Sequence, residues 1–121
     1  MFWRRPEPKI TLLADGFRVG EGRKQWEVRW ADVVRVTAFK RDRLSTDLLC
    51  LEFILSSGRI IEVNEDEEGY GPLEDALGAN LPGGVMPAWR DHVLLPPFAP
   101  RVTVIFERAQ TAEVREPARG A

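Results

Sequence analysis

The stretch that decides the fold is LLCLEFILSSGRIIEVN, residues 48–64. Two apolar runs flank Ser57-Gly58, the pattern of two antiparallel strands joined by a tight turn. A two-residue loop sets Ser56 opposite Arg59, Ile54 opposite Ile61 and Glu52 opposite Val63. One face then carries Leu48, Cys50, Glu52, Ile54, Ile61 and Val63, and the other Leu49, Leu51, Phe53, Leu55, Ile60 and Glu62. Both faces read as mostly apolar, so the expectation is that this chain or another covers the second one.

Working outward, residues 10–14 and 17–20 flank Asp15-Gly16, a pair suited to a type I′ hairpin turn. Residues 25–30 alternate, with Trp26, Val28 and Trp30 on one side and Glu27 and Arg29 on the other. Residues 33–39 are rich in β-branched side chains and end at the charged run Lys40-Arg41-Asp42-Arg43. Downstream, Gly71-Pro72 marks a helix start, Glu74 and Asp75 complement the dipole of the first turn, and Leu73, Ala76 and Leu77 form an apolar stripe. Residues 87–93 add a further helical turn, and residues 101–107 return to strand character. The expected fold class is α+β: a strongly curved antiparallel sheet of about six to seven strands, one main helix near residues 71–80 and a further strand near 101–107.

At 121 residues the chain fits one core, since two would each be marginal in size. The ordered core is expected at about residues 9–109, with residues 1–8 and 110–121 flexible. A composition of 44% hydrophobic and 30% charged residues is that of a folding chain rather than a disordered one. The net charge of −2 is unevenly spread. Residues 1–59 hold twelve Lys or Arg against eight acids, and residues 60–89 hold seven acids and no base. An acidic end of this kind argues against nucleic acid as a partner, which requires a dense positive stripe. No apolar run has signal-peptide or membrane-spanning length, so no membrane insertion is expected and the cytoplasm is the expected location.

The order of elements resembles that of bacterial pleckstrin-homology-like and GRAM-like domains. The residues that carry the likeness are Trp30-Ala31-Asp32-Val33-Val34, a tryptophan, an acid and aliphatics leading into a long strand, followed by a hairpin and a helix over residues 10–81. The resemblance implies a partial barrel closed by a helix and a binding role rather than catalysis. The chain departs from it in the strand at 101–107, because that family ends on its helix.

Cys50 is the one cysteine, so no intrachain disulfide, zinc ribbon or CxxC pair can form. Cys50 and the one histidine, His92, lack the orienting context of a nucleophile and its base, and Cys50 between two leucines reads as a small buried hydrophobe. No Gly-x-Ser-x-Gly or Walker motif occurs. Asn64, Asp66, Glu68 and Asp75, with Gly69, fall on a calcium-loop spacing. A strand rather than a helix precedes them and Asp75 is short for the bidentate position, so no metal and no cofactor is expected. Arg35, Lys40, Arg41, Arg43 and Arg59 are the ligand-binding candidates, a basic rim for a phosphate or lipid headgroup, against the plainer reading of solvated strand ends. Trp3 and Trp89, with Phe53, Leu55 and Ile60 on the second face, are the candidates for partner contact.

The expectation is thus a non-catalytic protein-interaction module, bound to a second copy or to another protein. An acidic edge over residues 65–75 would suit a basic partner, as in a toxin-neutralising immunity protein. The alternative is a binder of a small anionic ligand or lipid headgroup at the basic rim.

Overall fold

The computed structural model describes residues 9–96 and 102–109, and among them the alternating segments form seven strands. The first three make an antiparallel meander: β1 (Lys9–Leu13), β2 (Gly16–Glu21) and β3 (Lys24–Arg29). A single 3-10 turn, Trp30–Asp32, leads into a second antiparallel sheet. It comprises β4 (Val33–Asp42), β5 (Asp47–Leu55), β6 (Ile60–Asn64) and β7 (Thr103–Glu107), in the spatial order β6-β5-β4-β7. Two helices, α1 (Tyr70–Asn80) and α2 (Trp89–Leu94), connect β6 to β7. The fold is α+β, with sheets of three and four strands that do not close into a barrel.

Period-two alternation explains what each sheet buries. In the first sheet Ile10, Val19, Phe17 and Val28 share the inner face and are buried. In the second, Leu49, Leu51, Phe53 and Leu55 of β5 lie level with Ile61 and Val63 of β6 and with Val36 and Ala38 of β4, all buried. The sheets meet at Phe17, whose ring lies 4.8 Å from Phe53 and 5.2 Å from Trp30 in tilted contacts. Tyr70, Leu73 and Leu77 of α1 and Trp89 and Val93 of α2 complete one continuous buried cluster. Truncating a ring at its centre, as in Phe17→Ala, removes about 3–5 kcal/mol.

Both hairpins depart from the expected register, the second by one residue and the first by two. Leu55 N–H donates to Arg59 O at 2.9 Å, so the loop of the second hairpin has three residues, Ser56, Ser57 and Gly58. Gly58 takes a φ of 93°, the left-handed third position that this loop length requires. Ile54 therefore pairs with Ile60, Phe53 with Ile61 and Glu52 with Glu62. The shift moves every β6 side chain to the opposite face from that expected. The odd-numbered residues become the core face, and the other carries Glu52 and Glu62 among Leu48, Ile54 and Ile60.

In the first hairpin Leu13 pairs with Gly16, so the turn is Ala14-Asp15 and Gly16 belongs to the strand. A Cβ on Gly16 would stand 1.9 Å from Val28 O, so glycine serves a close approach there rather than a turn. The main helix starts at Tyr70, and Glu74 lies beyond its first turn. The late strand, β7, joins the main sheet beside β4, with a bulge between Val36 and Thr37.

Candidate functional site

An open cleft of about 500 Å³ separates the tip of the first sheet from the edge of the second. One wall is the inner side of the β2–β3 hairpin, Val19, Gly20, Glu21, Lys24 and Trp26; the other is Arg59 to Glu62 at the start of β6, with Glu67 from the following loop. Its size lies in the range of small-molecule and peptide sites. Trp26 is 41% exposed although it sits on the inner face, and Ile60 across the cleft is 56% exposed. Tryptophan half out of a core and an exposed isoleucine within one concavity mark surface left for a partner.

The cleft exists because β3 and β6 are both edge strands, the last of their respective sheets. The two sheets are instead linked at β1, where Ile10 N–H donates to Glu68 O at 2.8 Å. Gly69 permits that crossing: its φ is 90°, and a Cβ would lie 2.0 Å from Ile10 O.

Charges in the cleft divide into satisfied and unsatisfied. Glu62 is held by the Arg41 guanidinium, which donates to both carboxylate oxygens at 2.9 Å. Glu67 accepts from Asn64 N–H at 3.1 Å, and burial pushes its carboxyl above the ordinary carboxylate range despite that hydrogen bond. Lys24 and Arg59 line the cleft, and among the described residues neither has an acid within ion-pairing distance.

The basic residues singled out in the sequence do not converge. Arg35 pairs with Glu107 at 2.7 Å, Arg41 with Glu62, and Arg43 with Asp66. Lys40 lies on the core face, its side chain 2% exposed, donating to Leu94 O at 2.8 Å and Pro96 O at 2.6 Å beside Asp47. Of the five, only Arg59 reaches the cleft.

The calcium-like spacing is spent locally. Asn64 Oδ1 accepts from Asp66 N–H at 3.0 Å, Asp66 meets Arg43, Glu68 meets Lys9 at 3.7 Å, and Asp75 is exposed on α1. No group of three or more His, Cys, Asp or Glu among the described residues is arranged to hold a metal.

Of the partner-contact candidates, Phe53, Leu55 and Trp89 are buried in the core, a consequence for the first two of the shifted register. Ile60 is exposed at the cleft, and Trp3 lies outside the described residues. Cys50 is buried on β5 and burial raises its thiol pKa, whereas His92 is exposed on α2.

Trp26 and Lys24 were missed as site residues because clean alternation assigns Trp26 to the core. The signal that could have found them is position: the inner face of an edge strand next to a hairpin tip lacks a neighbour on one side.

No helix of the described residues is long and apolar enough to cross a membrane. Searches against protein-family models, curated proteins and solved structures found no match to this chain.

Proposed function

We propose that this chain is a non-catalytic interaction module whose contact site is the cleft between the β2–β3 hairpin and β6. The observation that carries the reading is the exposure of Trp26 and Ile60 across one concavity. Among the described residues, Leu12 and Val104 are the other strand residues with large apolar side chains exposed to this degree, and neither lines the cleft. Cys50, the residue best suited to nucleophilic chemistry, is buried with its thiol pKa raised, which disfavours the reactive thiolate.

The binding role goes with the resemblance that the sequence carries, in its order of elements and in Trp30-Ala31-Asp32-Val33-Val34, to pleckstrin-homology-like modules; the unclosed sheets and β7 depart from that pattern. The shifted register removes the reason for assigning a second copy to the β5–β6 hairpin, because its outer face carries Glu52 and Glu62. A different partner fits the cleft better.

A second reading, a small amphiphilic anion, is favoured by Lys24 and Arg59, which line the cleft with no ion-pair partner among the described residues. Titration with the apolar anion 8-anilino-1-naphthalenesulfonate tests whether the cleft is a binding site. Enhanced dye fluorescence that is lost in Ile60→Asp and weakened in Arg59→Glu is expected. Unchanged fluorescence in both variants places the contact site elsewhere.

A further inference from the structure

We propose that the cleft takes an extended peptide, which adds a strand to the free edge of β6 with an apolar side chain under Trp26 and a carboxylate side chain against Lys24 or Arg59. The proposal rests on the interaction-module reading and names the partner class.

Hydrogen-bond parity fixes which groups of β6 are available. In an antiparallel pair alternate residues turn their N–H and C=O toward the partner strand and the others turn away. Arg59 O accepts from Leu55 N–H at 2.9 Å and Glu65 N–H donates to Leu49 O at 3.0 Å, so the odd-numbered residues face β5. Ile60, Glu62 and Asn64 therefore face outward. Asn64 is already occupied, its N–H by Glu67 Oε1 and its C=O by Glu67 N–H at 3.1 Å. The N–H and C=O of Ile60 and Glu62 have no partner among the described residues. Donor and acceptor on two residues spaced by two is the template of strand addition.

Other edges offer less. At β1 the Ile10 N–H is taken by Glu68, and at β7 the Ile105 C=O is taken by Met86 N–H. β3, the other edge at the cleft, also turns the backbone of Gln25, Glu27 and Arg29 outward, but Glu27 and Arg29 carry charged side chains already paired with Arg18 and Asp15. The β6 edge instead combines open backbone groups with Ile60 and Ile61.

That wall sets the side-chain preference. A peptide residue level with Ile61 directs its side chain to the inner face, toward Val19 and Trp26, and is apolar. Of the charged groups that line the cleft, Lys24 and Arg59 have no ion-pair partner among the described residues, and they complement an acidic neighbour.

The test is a random heptapeptide phage library selected against the full chain, with affinities of the selected synthetic peptides measured by fluorescence polarisation. Selected peptides are expected to carry an apolar residue next to Asp or Glu. N-methylation at the residues facing β6 is expected to weaken binding about three- to tenfold per site, and N-methylation at the alternating residues to have little effect. Ile60→Pro removes an outward N–H at the first residue of an edge strand, a position that tolerates proline, and is expected to weaken binding by a similar factor. Ile60→Thr, which keeps the N–H, is expected to weaken it less, and circular-dichroism melting verifies that both variants fold.

Binding abolished by Trp26→Ala but indifferent to N-methylation and to Ile60→Pro overturns strand addition and leaves the cleft reading standing. Binders indifferent to Trp26→Ala, or no binder together with no displacement of 8-anilino-1-naphthalenesulfonate by dodecanoate, overturn both. Displacement of that dye by dodecanoate with no peptide selected assigns the cleft to a small amphiphile and overturns the peptide proposal.

Discussion

Lys40 shows how far a single residue can depart from its type. Lysine is rarely fully buried without a partner, and here the ammonium sits beside Asp47 and donates to two backbone carbonyls, that of Leu94 at the end of α2 and that of Pro96 just beyond it. Those bonds tie the end of α2 to β4, which makes Lys40 structural rather than part of a ligand rim. Lys40→Ala strands buried acceptors and is expected to cost about 3–5 kcal/mol in urea unfolding. Glu67 behaves in the opposite sense. Burial raises its carboxyl pKa in the folded chain, so protonation favours the fold, and the ionised form carries a desolvation cost that is fully present near pH 7. Glu67→Gln keeps an acceptor for the Asn64 N–H without that charge. The variant is therefore expected to melt higher than the parent at pH 7, and the difference to shrink as the pH falls through the raised carboxyl pKa and below it. Melting curves at several pH values check the sign.

At the scale of the elements, three glycines divide the work that sequence motifs assign to turns. Gly58 and Gly69 both adopt left-handed backbone, but a Cβ at Gly58 meets open space whereas one at Gly69 strikes Ile10 O. Gly58→Ala is therefore expected to cost about 1–2 kcal/mol, the conformational penalty alone, and Gly69→Ala distinctly more in the same unfolding assay. Gly16 is the contrasting case, a glycine needed inside a strand. These positions explain what was legible. Apolar alternation located the strands, and the Gly71-Pro72 start with the Leu73, Ala76 and Leu77 stripe located the main helix, because burial requires both patterns. The registers were not legible, because Asp15-Gly16 and Ser57-Gly58 have the composition of two-residue turns while the backbone uses Ala14-Asp15 in one and a three-residue loop in the other. The one-residue slip of the second hairpin reverses the faces of β6 relative to β5, which is why Phe53 and Leu55 were assigned to a surface they do not reach, whereas the two-residue shift of the first leaves its faces unchanged. Ile60 and Arg59 were legible as site residues, and Lys24 and Trp26 were not, since nothing in a strand's own sequence says that its neighbour is missing.

For the whole molecule, two sheets are joined at one side and parted at the other. Ile10, Glu68 and Gly69 lock the joined side, and Trp26 and Ile60 both line the parted one. Since β5 and β6 bury one face and leave Glu52 and Glu62 on the other, the chain is expected to run as a monomer of 13.7 kDa in light scattering coupled to size exclusion. A concentration-dependent dimer would mean that a second copy occupies the cleft. The most direct measurement is residue-resolved amide hydrogen exchange on the free chain. If β6 is an open edge, Ile61, Val63 and Glu65 exchange slowly while Ile60 and Glu62 exchange orders of magnitude faster in the same strand. Equal protection of Ile60, Ile61 and Glu62 would show that the edge is already covered and would contradict the assignment of the cleft as a site for a partner.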